Sequence, residues 1–189
     1  MDSGHYVESM TNDVLYNILL NAEDDEMNHL CLTNQYAQRL CHNFDFWQHK
    51  MNHLQLDYFL QDQIASLKNY KRIFKTICQI KKRVDRLFQL VQQNETLKHK
   101  AYIDFMVSFS QVRDFLPEKI TDYLLELRAW DKFVLFQHDI TNNNVSLKYN
   151  NVTGFSTVLY SMTLSTAKYI FLKLFYDYPQ IDIGLKFNV

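Results

Sequence analysis

Phe133-Val134-Leu135-Phe136-Gln137-His138-Asp139, then Asn142-Asn143-Asn144, then Val145-Ser146-Leu147-Lys148-Tyr149, is the stretch where the periodicity of the chain changes. Val134, Phe136 and His138 alternate with Phe133, Leu135 and Gln137, the period of two that defines a strand with two different faces. Asn tolerates positive φ, so the Asn tract predicts a hairpin loop between this run and Val145–Tyr149. Gly154 to Tyr160 reads as a third strand. Thr163 or Ser165 can cap a helix to about Tyr176 that carries Ile170, Phe171, Leu174 and Phe175, and Pro179 ends it. Ile181 to Phe187 reads as a last strand. Residues 131–189 are therefore expected to form a small β-β-β-α-β region with an antiparallel sheet, in one compact body with the helices before it.

Upstream of this stretch the spacing is helical. Pro117 suits the start of a helix with Ile120, Tyr123, Leu124 and Leu127 on its apolar stripe. Thr96 to Phe115, with Ile103, Phe105, Met106 and Phe109, also reads as helical. One long amphipathic helix is expected from about Gln61 to Gln93, its apolar side carrying Tyr70, Ile73, Ile77, Ile80, Val84, Phe88 and Val91. Residues 10–56 read as three short helices. Asn12 or Thr11 caps the first, Glu23–Glu26 favours the positive end of the second, and Thr33 caps the third. Phe44, Phe46 and Trp47 close them, and a further short helix holds Met51, Leu54 and Leu56. The fold class is α+β, with a mostly helical N-terminal two-thirds. The expected segments are 1–60, 61–130 and 131–189, with Asn94 as the expected boundary.

The chain has 189 residues, 47% of them apolar and 22% charged, enough for a sizeable core. Only 3 Gly and 2 Pro occur, against roughly 13 and 9 for average usage at this length. That leaves little material for phosphate-cradling glycine loops. The formal net charge is −1, yet charge is strongly segregated. Residues 1–65 hold ten acids and two bases, whereas residues 66–100 hold ten bases and two acids. Lys68, Lys71, Arg72, Lys75, Lys82, Arg83 and Arg86 fall on one side of the long helix. Three readings of this basic face stay open: a solvated face, a surface for an acidic protein or nucleic acid, and a membrane-surface helix.

The segment from Met10 to Leu20, with Val14, Leu15, Ile18 and Leu19, resembles the first helix of F-box modules. Asp25-Glu26-Met27 and Leu30-Cys31-Leu32-Thr33-Asn34 resemble the second helix and its exit. Tyr36 to Cys41 resembles the third helix, and Asp45-Phe46-Trp47 the closing element. The resemblance spans about residues 10–50, with a looser tail to 75. It is especially similar to F-box-like proteins of large DNA viruses that infect amoebae. Where the family has Leu-Pro, this chain has Met10-Thr11. The resemblance implies a three-helix start that engages a Skp-type adaptor of a host cullin ubiquitin ligase, with Met10, Leu15, Ile18, Leu19, Met27 and Leu30 at the contact. It also implies that the rest of the chain holds a target. The competing reading makes these residues core, since a module of ~40 residues is marginal alone.

Chemistry-bearing motifs are sparse. No Walker, G-x-G-x-x-G, G-x-S-x-G or H-E-x-x-H pattern occurs, so a non-enzymatic interaction protein without cofactor is expected. His29, Cys31, Cys41, His42, His49 and His53 contain zinc-type ligands, but Cys31 and Cys41 fall on apolar stripes, and no metal is expected. Cys78 with His99, or Asp139 beside His138, are the conceivable catalytic pairs, though both histidines read as ordinary surface or half-buried residues. The aromatics of the C-terminal region, such as Phe136, Tyr149, Phe155 and Phe171, read as core rather than base-stacking platforms. Three cysteines at no repeating spacing argue against a disulfide framework and for a reducing compartment. No signal peptide or membrane span is read, so the cytoplasm or nucleus of a host cell is expected, and the sequons at Asn94, Asn144 and Asn151 read as chance matches. The expected partners are proteins, with nucleic acid or a second copy as alternatives and no membrane.

Overall fold

The computed structural model describes residues 11–60, 66–93, 102–129, 132–140, 142–150, 156–181 and 183–187. Met10, Asn94, His99, Asn151 and Phe155 lie outside them. The protein is α+β, and it divides into two compact units, Met1–Gln79 and Ile80–Val189. The division falls inside a helix rather than at Asn94.

The first unit is helical. Thr11 caps α1 (Asn12–Asn21), its hydroxyl accepting from the Val14 N–H at 3.4 Å. α2 (Asp24–Thr33) starts on an acidic turn in which the Glu26 carboxylate accepts from the Glu23 N–H at 3.1 Å. α3 (Gln35–Cys41) is capped by Asn34, not Thr33. The Asn34 Oδ1 accepts from Tyr36 N and Ala37 N at 2.9 and 3.0 Å, while the Thr33 hydroxyl donates back to the His29 carbonyl. The expected aromatic closure and the short helix after it merge into one helix, α4 (Phe44–His53), because Asn43 caps it at the Phe46 N–H. α4 ends where Gln55 turns left-handed at φ 55° and the Leu56 N–H reaches the Met51 carbonyl at 2.9 Å. A 3-10 turn (Asp57–Leu60) follows, and α5 runs from Leu67 to Gln93.

Leu15, Leu19, Leu20, Met27, Phe46 and Met51 are buried in this unit, together with Tyr70, Ile73, Phe74 and Ile77 from the first turns of α5. Each such side chain contributes about 1.5–3 kcal/mol on burial. Trp47 meets Phe74 edge-on at 5.5 Å and gives its indole N–H to the Cys41 carbonyl at 3.0 Å. Cys31 and Cys41 are joined as a disulfide, with their Cα atoms 6.3 Å apart. This corrects the expectation drawn from cysteine number. The Asn34 cap folds α3 back beside α2 and brings the two sulfurs together, which an odd count of three does not reveal.

The second unit is a five-stranded antiparallel sheet in the order β4-β3-β2-β1-β5. Its strands are β1 (Tyr102–Ser108), β2 (Phe133–Asp139), β3 (Asn144–Asn150), β4 (Ser156–Thr163) and β5 (Gly184–Phe187). β1 corrects the helical reading of Thr96–Phe115. Phe105 and Val107 are both buried, and the strand pairs with β2 on one side and β5 on the other. A strand in that position reads as a near-continuous apolar run, which period alone does not separate from a helix. Phe105, Phe136 and Leu147 are in register, as are Val107, Val134 and Tyr149. Asn143 takes φ 56° in the β2–β3 hairpin, the use expected of the Asn tract. Between β3 and β4 the pairing skips Leu159, a bulge next to Leu147/Lys148.

Thr163 caps α8 (Leu164–Asp177), whose Ala167, Ile170, Phe171, Leu174 and Phe175 lie in the core with the sheet residues. Phe171 is the hub, with ring centroids 5.2–5.6 Å from Phe88, Phe105 and Phe136. α6 (Phe109–Val112), a 3-10 turn (Arg113–Phe115) and α7 (Glu118–Glu126) add Phe109, Val112 and Leu124. Among the described residues no helix is long and apolar enough to cross a membrane.

Candidate interaction surfaces

The residues expected at an adaptor contact separate into two groups. Leu15, Leu19 and Met27 are buried in the helical unit, so their apolar spacing serves its core. Leu30 is half-buried and Ile18 is 37% exposed. One helical turn before Ile18, Val14 is 48% exposed, and Leu32 near the end of α2 is 86% exposed. Val14 and Ile18 share a face of α1 by their i, i+4 spacing. Leu32 belongs to the F-box-like pattern but not to the expected contact, and its exposure is not readable from spacing on so short a helix.

The basic face exists on α5, but its members do different things. Lys68, Arg72, Lys75, Lys82 and Arg86 are exposed, and Lys71 is half-buried. Arg83 is committed within the sheet unit. Its guanidinium donates to the Pro179 carbonyl at 2.9 Å and the Ile181 carbonyl at 3.3 Å, and it stacks 4.0 Å over the Phe175 ring. That arginine anchors the exit of α8 by hydrogen bonds and cation–π contact.

Lys50, at the end of α4, carries the most distinctive electrostatics of the helical unit. It has no exposure, and its Nζ donates to the carbonyls of Leu19, Leu20 and Ala22 at 2.6, 2.9 and 2.8 Å. It also lies 4.6 Å from the Phe74 ring centroid. The ammonium satisfies the orphan carbonyls at the negative end of α1. Burial pulls its pKa down to about 8, opposed by Cys78 and Glu26, so it stays largely charged at neutral pH.

His138 is the counterpart in the sheet unit. It is fully buried on β2, 5.6 Å from Phe88, and among the described residues neither ring nitrogen has a hydrogen-bond partner. Burial holds its pKa below the ordinary value, and nearby Lys168 acts in the same direction, whereas Asn143 and Asp139 oppose it. The expectation of a surface or half-buried histidine is corrected: the period of two puts His138 on the core side with Val134 and Phe136. Asp139 makes no hydrogen bond to its ring. Its two carboxylate oxygens accept from the Asn142 backbone and side chain at 3.0 and 2.8 Å and fasten the hairpin. Lys168 is held by Asp85 at 2.6 Å.

Three of the four histidines of the zinc-type cluster act as hydrogen-bonding groups. His49 Nδ1 lies 2.6 Å from the Tyr16 hydroxyl, His53 Nε2 lies 3.1 Å from Asn21 Oδ1, and His42 Nδ1 donates to the Gln38 carbonyl at 2.8 Å. Among the described residues no three His, Cys, Asp or Glu side chains converge as a metal site requires. Cys78 is buried on α5, and burial pushes its thiol pKa up, away from a reactive thiolate. No protein-family model, curated protein or solved structure matches the chain.

Proposed function

We propose that the chain is a non-enzymatic, F-box-like adaptor of viral type that links a host Skp-type/cullin ubiquitin ligase to a target. The observation that carries the reading is the pair Val14 and Ile18 on α1, apolar and exposed on the helix whose sequence is F-box-like. Exposed apolar residues at helical spacing are what a partner helix laid against α1 would use. Leu15, Leu19 and Met27 then support the contact from beneath by fixing the helices. In this reading the sheet unit is where the target is held.

The test is a pull-down from host-cell lysate with the wild type and a Val14→Asp/Ile18→Asp variant, compared by mass spectrometry. The expected result is enrichment of a Skp-type adaptor and a cullin by the wild type alone, with both proteins equally folded by circular dichroism. Equal recovery by both, or recovery by neither, overturns the reading. Leu15→Asp and Leu19→Asp are unsuitable, since a charge in the core breaks the unit itself.

A second reading rests on the exposure of Lys68, Arg72, Lys75, Lys82 and Arg86. It makes the protein a structural or regulatory host-interaction protein that uses α5 on an acidic partner or nucleic acid. Its signature is binding that weakens steeply with salt and with Arg72→Ala/Lys75→Ala.

A further inference from the structure

His49 and His53 stand one helical turn apart on α4, and both are exposed. Residues at i and i+4 share a helix face, and these two imidazole centroids are 6.5 Å apart. Two imidazoles that share one metal ion, each with its nitrogen about 2.0–2.1 Å from it, hold their centroids roughly 5–6 Å apart, so side-chain movement of about 1 Å closes the observed pair on an ion. Of the charges on the same helix, Asp45 lies one turn before His49, and the Lys50 ammonium is drawn away onto the carbonyls of α1.

α1 holds one nitrogen of each ring. The Tyr16 hydroxyl lies 2.6 Å from His49 Nδ1, and Asn21 Oδ1 lies 3.1 Å from His53 Nε2. The Asn21 amide is oriented independently, because its Nδ2 donates to the Asn17 carbonyl at 2.9 Å. Its Oδ1 therefore meets His53 as an acceptor, and His53 Nε2 must carry the proton. In the neutral ring that leaves the lone pair on Nδ1. Tyr16 keeps its own proton, since partial burial, and then Tyr36, push its pKa up. Its oxygen can accept from His49 Nδ1–H, which leaves the lone pair of that ring on Nε2. Among the described residues neither His49 Nε2 nor His53 Nδ1 makes a hydrogen bond. An imidazole held at one nitrogen by a polar group and free at the other is the arrangement that orients histidine toward a metal.

We propose that His49 Nε2 and His53 Nδ1 form a binding site for a divalent transition-metal ion of the zinc class, with water at its remaining positions. Imidazole ligands suit this class, whereas magnesium and calcium take oxygen ligands. Among the described residues no three protein ligands converge, so the ion is an exchangeable one rather than a structural part of the fold. The assignment goes beyond the adaptor reading and does not depend on it, since Val14 and Ile18 supply no ligand.

The test is isothermal titration of the full chain with zinc and with magnesium in a non-coordinating buffer, each variant being checked for an unchanged circular dichroism spectrum. Saturable one-to-one binding of zinc is expected, at least tenfold tighter than any binding of magnesium. His49→Gln and His53→Gln are each expected to weaken it at least tenfold. His29→Gln/His42→Gln, which removes two other exposed histidines of the helical unit, leaves it unchanged. Tyr16→Phe/Asn21→Ala keeps both ligands but releases the nitrogens that α1 holds, and is expected to weaken zinc at least threefold. Failure of zinc to saturate, or equal weakening by the His29/His42 pair, overturns the proposal. Unchanged affinity in Tyr16→Phe/Asn21→Ala means an adventitious chelate only, and overturns it as well.

Discussion

Among the described residues, the helical unit and the sheet unit each enclose one ionisable side chain with no exposure, and they treat it in opposite ways. Lys50 is surrounded by three carbonyl acceptors at the end of α1. Among the described residues His138 has none at either nitrogen. The first unit keeps a charge inside by giving the end of a helix to it. The second keeps its histidine neutral, among the aromatic rings that meet at Phe88 and Phe171. A buried charge is tolerated where its donors are matched one for one, and a buried neutral group is tolerated only while it stays neutral.

The largest break in this comparison is Lys50→Met. It leaves three buried carbonyls without a donor, at a cost of about 3 kcal/mol to the helical unit. Urea denaturation followed by circular dichroism measures it, and a change below about 1 kcal/mol would mean that water replaces the ammonium. Reduction of Cys31–Cys41 comes next. The loop it closes spans ten residues, and opening it costs about 2–3 kcal/mol by the chain-entropy argument. Denaturation with and without dithiothreitol should lower the stability of the helical unit and leave the α8–sheet core unchanged.

His138 supplies the pH-dependent contrast. Its folded pKa is lowered, so below the ordinary histidine value of about 6.5 the unfolded chain binds more protons than the folded one. The stability of the sheet unit therefore falls as pH drops below about 6.5, by no more than about 1.4 kcal/mol per pH unit for one proton. His138→Phe should flatten that slope. An unchanged slope would move the pH dependence to other groups. The smallest effect sharpens the helical side: Gln55→Gly, at a left-handed position ending α4, should stabilise by about 0.5–1 kcal/mol. A loss of stability there would mean that the Gln55 side chain contributes more than its backbone strain costs.

What the sequence revealed follows the same division. β2, β3, β4 and α8 were readable because a period of two, an Asn hairpin and a Thr cap agree with one another. β1 was not, since Ile103, Phe105, Met106 and Phe109 fit helical spacing and only pairing with β2 and β5 decides between the two. Of the surface residues, the basic side of α5 was legible from its seven bases, but the anchoring of Arg83 to Pro179 and Ile181 was not, because its partners lie far away in the chain. Lys50 gave no signal at all. A lysine on a short helix reads as solvated, and its acceptors are backbone atoms from another helix. The disulfide was hidden for a similar reason: the two cysteines meet through the α2–α3 turn, not through a recognisable spacing.

The proposed function rests on the exposed face of α1, and a direct titration tests it. Purified protein is titrated with a purified Skp-type adaptor by calorimetry, beside the Val14→Asp/Ile18→Asp variant. The account predicts saturable one-to-one binding that the variant weakens at least tenfold, or ~1.4 kcal/mol, with its unfolding midpoint unchanged. No binding by the wild type, or equal binding by the variant, would contradict it.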